Sequence, residues 1–95
     1  MTKEDKTLRK AALTFRAINH DLRRAIINLL REKKELMVMD IYVKLRIEQS
    51  VASQHLAILR RAGIVKANKK GKFVFYSLDE NKISTILSVA SKLAV

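Results

Sequence analysis

Cysteine, proline and tryptophan are absent from this sequence. Without cysteine, the chain can hold no disulfide, no thiolate metal site and no thiol redox sensor. No segment approaches the roughly 18–20 consecutive apolar residues that cross a bilayer. The first residues, from Met1 to Asp5, also lack the apolar stretch of a secretory signal. Together these absences predict a soluble, cytoplasmic protein.

Glycine and aromatic residues are scarce, since the 95 residues include two glycines, three phenylalanines and two tyrosines. The sequence offers no glycine-rich phosphate loop and no paired carboxylates beside a histidine, so neither an enzyme nor a cofactor is expected. We predict one domain over residues 1–95, with an aliphatic core. Because a domain of this size buries only somewhat over ~60% of its unfolded surface, support from a second subunit is expected.

Basic residues are in large excess and produce a formal net charge of +11. They are concentrated between residues 49 and 78, a stretch that contains no acidic residue. A field of one sign over a compact element attracts and holds polyanions, which makes nucleic acid the first candidate partner. The alternative is a basic face that serves solubility alone. The basic residues of this stretch are Arg60, Arg61, Lys66, Lys69, Lys70 and Lys72.

Apolar residues at helical spacing predict two helices in the first third of the sequence. The first helix carries Leu8, Ala12 and Phe15 on one face. The second begins after a polar break, where Asn19 or Asp21 is the candidate N-cap. Its apolar stripe consists of Leu22, Ala25, Ile26, Leu29 and Leu30.

Two further helices follow, separated by only about three residues. The shorter one begins near Val38 or Met39 and ends at Leu45, and the longer one spans Gln49 to Arg61. Gly63 is positioned as a left-handed cap after the longer helix. Two helices joined by so short a turn form a helix-turn-helix.

A β-hairpin and a last helix complete the pattern. The strands are Ile64–Ala67 and Phe73–Leu78, and Gly71 supplies a positive φ to the loop Asn68–Lys72. Asp79 is a candidate cap for the last helix. The predicted fold is therefore mainly α-helical, a winged helix-turn-helix with a two-stranded β wing. Its order is helix, helix, helix, helix, strand, strand, helix.

The helix from Gln49 to Arg61 has the composition of a DNA-reading helix. An α-helix fits the major groove of B-DNA, where a glutamine amide pairs bidentately with adenine and a serine hydroxyl serves a base or a phosphate. For any one of its polar residues, an ordinary solvated position is an equal alternative. The exposed candidates on its first turns are Gln49, Ser50, Ser53 and Gln54.

Basic side chains that follow these candidates are suited to hold phosphates. Lys69, Lys70 and Lys72 lie at the hairpin tip or just past it, where they would contact the DNA backbone or enter the minor groove without reading much sequence. Arg60 and Arg61 lie near the end of the longer helix, where they either contact phosphates or complement the helix dipole.

Four segments carry a family resemblance, namely residues 15–20 with Arg23 and Arg24, then residues 35–41, 49–65 and 71–78. The most specific signal is a serine, a histidine and a leucine at 53, 55 and 56, continued by Leu59 and by Ala-Gly-Ile-Val at 62–65. A strand of the form Gly-x-x-Val-x-Tyr-x-Leu follows at residues 71–78. On these residues the sequence resembles the arsenic-repressor (ArsR) family of winged-helix metalloregulators over about residues 8 to 90.

The resemblance implies a homodimer that is built on the terminal helices, binds an imperfect palindrome in double-stranded DNA and represses transcription. Members of this family typically lose DNA affinity when a metal or another effector binds. His55 is assigned to DNA by the resemblance, although a packed core histidine is an equal alternative. The other contacts it implies are Gln49, Ser50, Ser53 and Gln54, with the hairpin lysines.

The usual metal ligands of that family are missing. Its arsenic and cadmium sensors carry Cys-x-Cys where this sequence has Met37 and Met39, and a thioether cannot act as a thiolate. Its zinc and nickel sensors use acids and histidines in the last helix, and residues 83–95 contain neither. His20 and His55 belong to different helical contexts, with no partner at ligand spacing. We therefore predict no metal and interpret the methionines as core filler. The metal sensing of that family is then lost in this chain or replaced by a different chemistry.

The interface of the homodimer is expected on the first and last helices. The alternative is that each apolar stripe packs within its own chain, which must hold for part of each. The candidate interface residues are Leu8, Ala12, Phe15, Ile83, Ile86, Leu87 and Ala90.

Three functions of different kinds fit these observations. The leading hypothesis is a sequence-specific dimeric repressor. A non-specific or architectural DNA-binding protein would need only the charge. An antitoxin-like autorepressor would, in addition, bind a partner protein through its apolar surface.

Overall fold

The computed structural model of the chain describes residues 16–93, and in the last helix the side chains up to Thr85 and that of Ser88. A first helix, α1, is described over residues 16–18. The elements that follow are α2 (Asp21–Lys33), β1 (Glu35–Leu36), α3 (Val38–Leu45), α4 (Gln49–Arg61), β2 (Val65–Lys70), β3 (Phe73–Leu78) and α5 (Glu80–Leu93). This is the predicted winged helix-turn-helix, and the bounds of α3 and α4 are those expected from the sequence.

The N-cap of α2 is His20, and the prediction of Asn19 or Asp21 was wrong. The extended backbone of His20 places its Nδ1 where it accepts a hydrogen bond of 3.2 Å from the Leu22 amide. Asn19 instead accepts a hydrogen bond of 2.7 Å from Arg24. Asp21 pairs with the same arginine. Both expected caps are thus engaged with a side chain one turn further on.

The sheet has three antiparallel strands in the order β1-β3-β2, one more than predicted. The additional strand pairs Glu35 and Leu36 with the end of β3, and two residues are too few to show an alternating pattern in the sequence. The hairpin loop is also shorter than predicted, because β2 continues to Lys70. Only Gly71 and Lys72 remain in the turn, and Gly71 has the positive φ, 63°, that the first position of a type II′ turn requires.

Tight turns fix the helix-turn-helix and the start of the hairpin. Arg46 adopts a left-handed conformation after α3, and Ile47 donates a hydrogen bond of 3.1 Å back to the Tyr42 carbonyl. Gly63 follows α4 with φ 79°, as predicted for a left-handed cap. The predicted cap of α5 is also confirmed, because the Asp79 carboxylate accepts a hydrogen bond of 3.0 Å from the Lys82 amide.

The core is aliphatic and draws on every helix from α2 to α5. Because α4 contributes its inner side chains to this core, its opposite face is directed outward. Ile83 of α5 is only 4% exposed and packs into the same core, so this predicted interface residue belongs to the part of the stripe that packs within its own chain. The most deeply buried side chains are Ile26, Leu30, Ile41, Leu56, Leu59, Ile64 and Val65.

The remaining interface predictions fall beyond what the structure describes. Leu8, Ala12 and Phe15 precede residue 16, and the side chains of Ile86, Leu87 and Ala90 are among those of α5 that are not described. Within residues 16–93, no helix is long and apolar enough to cross a membrane.

Candidate nucleic-acid interface

The outward face of α4 presents the predicted base-reading residues to solvent. On its inner side, Ala52, Leu56 and Leu59 are buried and hold the helix against the core. Glu48 is the N-cap of α4 and makes no side-chain hydrogen bond to the first turn. Such a face can enter the major groove without disturbing the packing behind it. The residues exposed on its first two turns are Gln49, Ser50, Ser53 and Gln54.

The far end of α4 forms a basic recess with the sheet. Arg60 and Arg61 are exposed and make no ion pair with any residue from 16 to 93. Both contribute to a cavity of about 460 Å³ that also contains Ser53, Ala57 and Tyr76. A recess with two guanidinium groups and two hydroxyl groups suits a phosphate of the DNA backbone.

Ala57 and Tyr76 were not among the predicted site residues. Ala57 lies one helical turn after Ser53 on the exposed face, and that spacing could have identified it. Tyr76 pairs in register with Ala67 of β2 and packs on the hydrophobic core, so it faces the helices. Its place beside Arg60 depends on how α4 packs against the sheet, which no local pattern shows.

The three predicted lysines of the wing differ in their surroundings, although all are exposed. Lys70 forms an ion pair with Glu35 of β1, and its Nζ lies 5.0 Å from the ring centroid of Phe75. Lys72 lies over a ring as well, 5.6 Å from the centroid of Phe73. In the part of the chain that is described, neither Lys69 nor Lys72 pairs with a carboxylate. These two lysines are therefore the more available phosphate ligands.

His55 lies on the flank of α4, partly buried, and the structure brings it against His20. The two ring centroids are 4.8 Å apart, a contact between the histidines that the sequence did not predict. Burial lowers the pKa of His55 from its ordinary value of 6.5, and the positive charges of His20 and Arg23 lower it further. The Nδ1 atom of His55 and the Nε atom of Arg23 are buried and have no hydrogen-bond partner among the described residues. The side chain of His55 thus brings α4 into contact with the start of α2.

The methionines that replace the expected cysteines lie at the start of α3. Met37, the N-cap, is partly buried and donates its backbone amide to the Asp40 carboxylate at 3.2 Å. Met39 is 55% exposed, so the prediction that this methionine fills the core was wrong. Between residues 16 and 93, no three histidine, aspartate or glutamate side chains come together in a way that could hold a metal ion.

Comparison with known proteins gives a consistent result. The model of a family described as bacterial regulatory protein, arsR family, matches residues 20–67. An HTH-type transcriptional regulator of Methanocaldococcus jannaschii is 37% identical over 84 residues, which cover 88% of this chain and 94% of that protein. The transcriptional activator HlyU of Vibrio cholerae is 33% identical over 89 residues, covering 94% and 82%. The crystal structure of the transcriptional repressor PagR of Bacillus anthracis superimposes with a TM-score of 0.77 at 30% identity, covering 90% of this chain and 97% of that chain.

Proposed function

The chain belongs to the ArsR family of DNA-binding transcriptional regulators, and from this membership we propose that it is a homodimeric, sequence-specific repressor. Its proposed target is an imperfect palindrome in double-stranded DNA. The observation that carries the proposal is the two-sided character of α4, whose apolar side is buried in the core while its polar side is exposed. A helix built in this way is held firmly enough to read base edges.

The contacts with DNA divide into base readers and phosphate holders. We assign base reading to Gln49, Ser50, Ser53 and Gln54, because glutamine amides and serine hydroxyls pair with base edges in the major groove. We assign phosphate contacts to the arginines of the basic recess and to the wing lysines that have no carboxylate partner among residues 16–93, since such contacts set position without reading sequence. The proposed phosphate ligands are Arg60, Arg61, Lys69 and Lys72. Lys70 is a further candidate, although it forms an ion pair with Glu35.

A dimer is needed to read both halves of a palindrome. Two copies of α4 would meet successive major grooves if they lie about 34–36 Å apart. We place the interface on the terminal helices, at Leu8, Ala12, Phe15, Ile86, Leu87 and Ala90. Metal control through thiolates is excluded by the absence of cysteine, so release from DNA must use another signal or none.

The decisive experiment is selection of bound fragments from genomic DNA, followed by gel shifts on the selected site. A specific regulator prefers its operator by about 10³-fold or more over random duplex at fixed salt. The matched control is the same site with five base pairs inserted between its halves, which rotates one half-site away from the dimer. Equal affinity for the selected site, the site with the insertion and the random duplex would contradict the proposed repressor and favour an architectural DNA-binding protein.

The direction of regulation is tested with a reporter gene behind the selected operator. Repression predicts that expression of the chain lowers the reporter signal and that loss of α4 contacts restores it. Increased reporter expression would instead make the chain an activator, as HlyU is named. Co-purification of a partner protein in equal amount with the chain would favour the antitoxin-like alternative.

A further inference from the structure

The wing sheet has a second surface that faces away from α4. The side of β3 that carries Tyr76 and Leu78 packs on the hydrophobic core. Alternate residues of a strand point to opposite sides, so their neighbours form a face that is turned from the helices. We call it the outer face, and it consists of Glu35, Lys66, Asn68, Lys70, Phe73, Phe75 and Ser77.

Contacts between side chains confirm that these residues share one side. The Asn68 amide donates a hydrogen bond of 3.3 Å to the Ser77 hydroxyl across the strands. Lys70 reaches both Phe75 and Glu35 from the edge strand β2. The outer face is therefore opposite to the basic recess, which Tyr76 lines from the other side of β3. Reading of duplex DNA by α4 does not account for it.

Two aromatic rings lie on the outer face, outside the hydrophobic core that the described residues form. Phe73 is 49% exposed and Phe75 is partly exposed, although the rest of the sequence has only three aromatic residues. They occupy alternate positions of one strand, which sets their Cα atoms about 7 Å apart. Rings at this spacing can each accept one base of a single strand.

Positive charge surrounds these rings. Lys66 and Lys70 belong to the outer face, and Lys72 adjoins it at the turn. The Nζ atoms of Lys70 and Lys72 lie 5.0 and 5.6 Å from the ring centroids of Phe75 and Phe73. Among the residues that make up this face, Glu35 is the one acid, and it lies on the edge strand β1. Aromatic rings with basic residues beside them are typical of surfaces that bind single strands.

The relative strengths of two contacts decide whether a base can take the ring from the ammonium group. A cation–π contact at an exposed site contributes roughly two- to fivefold to an equilibrium. A base stacked on an aromatic side chain contributes about 5- to 150-fold to affinity. The base is the stronger ligand of the ring, and the displaced ammonium group is free to pair with the adjacent phosphate.

We propose that the outer face binds single-stranded nucleic acid by stacking two bases on Phe73 and Phe75 while Lys66, Lys70 and Lys72 hold the phosphates. A duplex is not the ligand of this face, because its bases are already paired and stacked. The two proposed activities share Lys70 and Lys72, but base reading belongs to α4 and stacking to the two phenylalanines, so substitutions in α4 and at the phenylalanines separate them.

The test measures binding of fluorescent dT₁₂, U₁₂ and an abasic 12-mer by anisotropy, over a range of salt. The double variant Phe73→Leu/Phe75→Leu keeps the apolar character and removes both aromatic faces. We expect it to lose at least about fivefold in affinity for the oligonucleotide with bases. The slope of log K against log salt should stay unchanged, since no charge is removed. The abasic strand should bind the original chain and the variant equally.

The matched control is Val74→Ala, an exposed apolar residue of the same strand whose side chain is on the opposite side. It should bind all three strands as the original chain does. Equal affinity of the original chain for dT₁₂ and the abasic strand would overturn the proposal, as would an equal loss in Val74→Ala. Tighter binding of U₁₂ than of dT₁₂ would identify RNA as the source, and the reverse would identify DNA. Operator binding should be retained in the double variant, which separates this test from that of the repressor.

Glu35→Gln provides an independent check, because it removes the acid of the outer face and frees Lys70. Affinity for dT₁₂ should rise, because the Lys70 ammonium group no longer has to leave Glu35 before it contacts a phosphate. Weaker binding in this variant would overturn the assignment of Lys70 to a phosphate.

Discussion

Among single residues, Gln54 is one of the four side chains to which we assign base reading. It is exposed on the second turn of α4, one residue before the partly buried His55. If its amide pairs with adenine, Gln54→Ala should weaken operator binding by about 1–3 kcal/mol and leave the free energy of unfolding unchanged. Gel shifts and urea unfolding measure the two quantities. The control is Asn28→Ala, which removes an exposed amide of α2 and should change neither operator affinity nor the free energy of unfolding. Unchanged operator binding in Gln54→Ala would assign base reading to another residue of α4.

His55 makes stability depend on pH, because its surroundings in the folded chain lower its pKa. Its pKa is lowered by burial first and then by the charges of His20 and Arg23, so the folded chain favours the neutral ring. The unfolded chain binds the proton at the ordinary pKa of 6.5 and therefore holds more protons than the folded chain below that pH. The free energy of unfolding should thus be fully retained above pH 6.5 and fall as the pH drops from there through the lowered pKa.

Urea unfolding at pH 7.5 and at mildly acidic pH checks this expectation. His55→Gln cannot take up the proton, so the difference in unfolding free energy between the two pH values should shrink in that variant. The comparison of pH values within each protein cancels any loss of packing that the substitution causes. An identical difference in both proteins would assign the pH dependence to other groups.

At the scale of elements, the ends of α4 and of the hairpin depend on two glycines with positive φ. Gly63 has φ 79°, and a Cβ there would lie 3.4 Å from Cε of Lys82. Gly63→Ala should therefore cost about 1–2 kcal/mol of unfolding free energy, because a left-handed conformation is unfavourable for any residue with a Cβ. Gly71→Ala, with φ 63° and no atom of the described residues within 4 Å of the added Cβ, carries the backbone strain alone. It should cost at least as much as Gly63→Ala, because the first position of a type II′ turn is a conformation that a residue with a Cβ rarely adopts, and a smaller loss at Gly71 would contradict this reasoning.

The lysines of the wing differ in whether they form an ion pair with a carboxylate. Lys72 has no carboxylate partner among the described residues, whereas Lys70 is paired with Glu35. Lys72→Ala should flatten the salt slope of operator binding by about one and weaken binding evenly across sequences. Lys70→Ala should flatten it less, because its ammonium must first leave Glu35. Affinity measured at several salt concentrations tests both, and equal slopes would show that Lys70 leaves Glu35 when DNA binds.

For the whole molecule, the proposed homodimer should make stability depend on protein concentration. Folding that is coupled to association gains free energy as concentration rises, so the midpoint of thermal unfolding should increase over a hundredfold range of concentration. Sedimentation equilibrium on the same samples should give twice the chain mass of 10.9 kDa. A monomer mass with a constant midpoint would place dimer formation on the DNA rather than in free solution.

Much of the architecture follows from local signals in the sequence. The apolar stripe of α4 and the glycine after it set the helix from Gln49 to Arg61 and its left-handed end, and Asp79 marks the start of α5. Such signals operate within one or two turns of chain, so periodicity and capping chemistry reveal them. The acid-free stretch from residue 49 to 78 likewise indicates a polyanion as partner before any coordinates are known.

Contacts between distant parts of the chain were decided only by tertiary structure. His20 and His55 are far apart in sequence, as are Glu35 and Lys70, and each pair meets because α2, α4 and the sheet pack around one core. The same packing places Tyr76 in the basic recess and leaves the phenylalanines of β3 on the outer face. Sequence patterns report which face of an element is apolar, whereas the neighbours of a face depend on how whole elements pack together. For that reason the helix to which we assign DNA reading was visible in the sequence, and the surroundings that distinguish Lys70 from Lys72 were not.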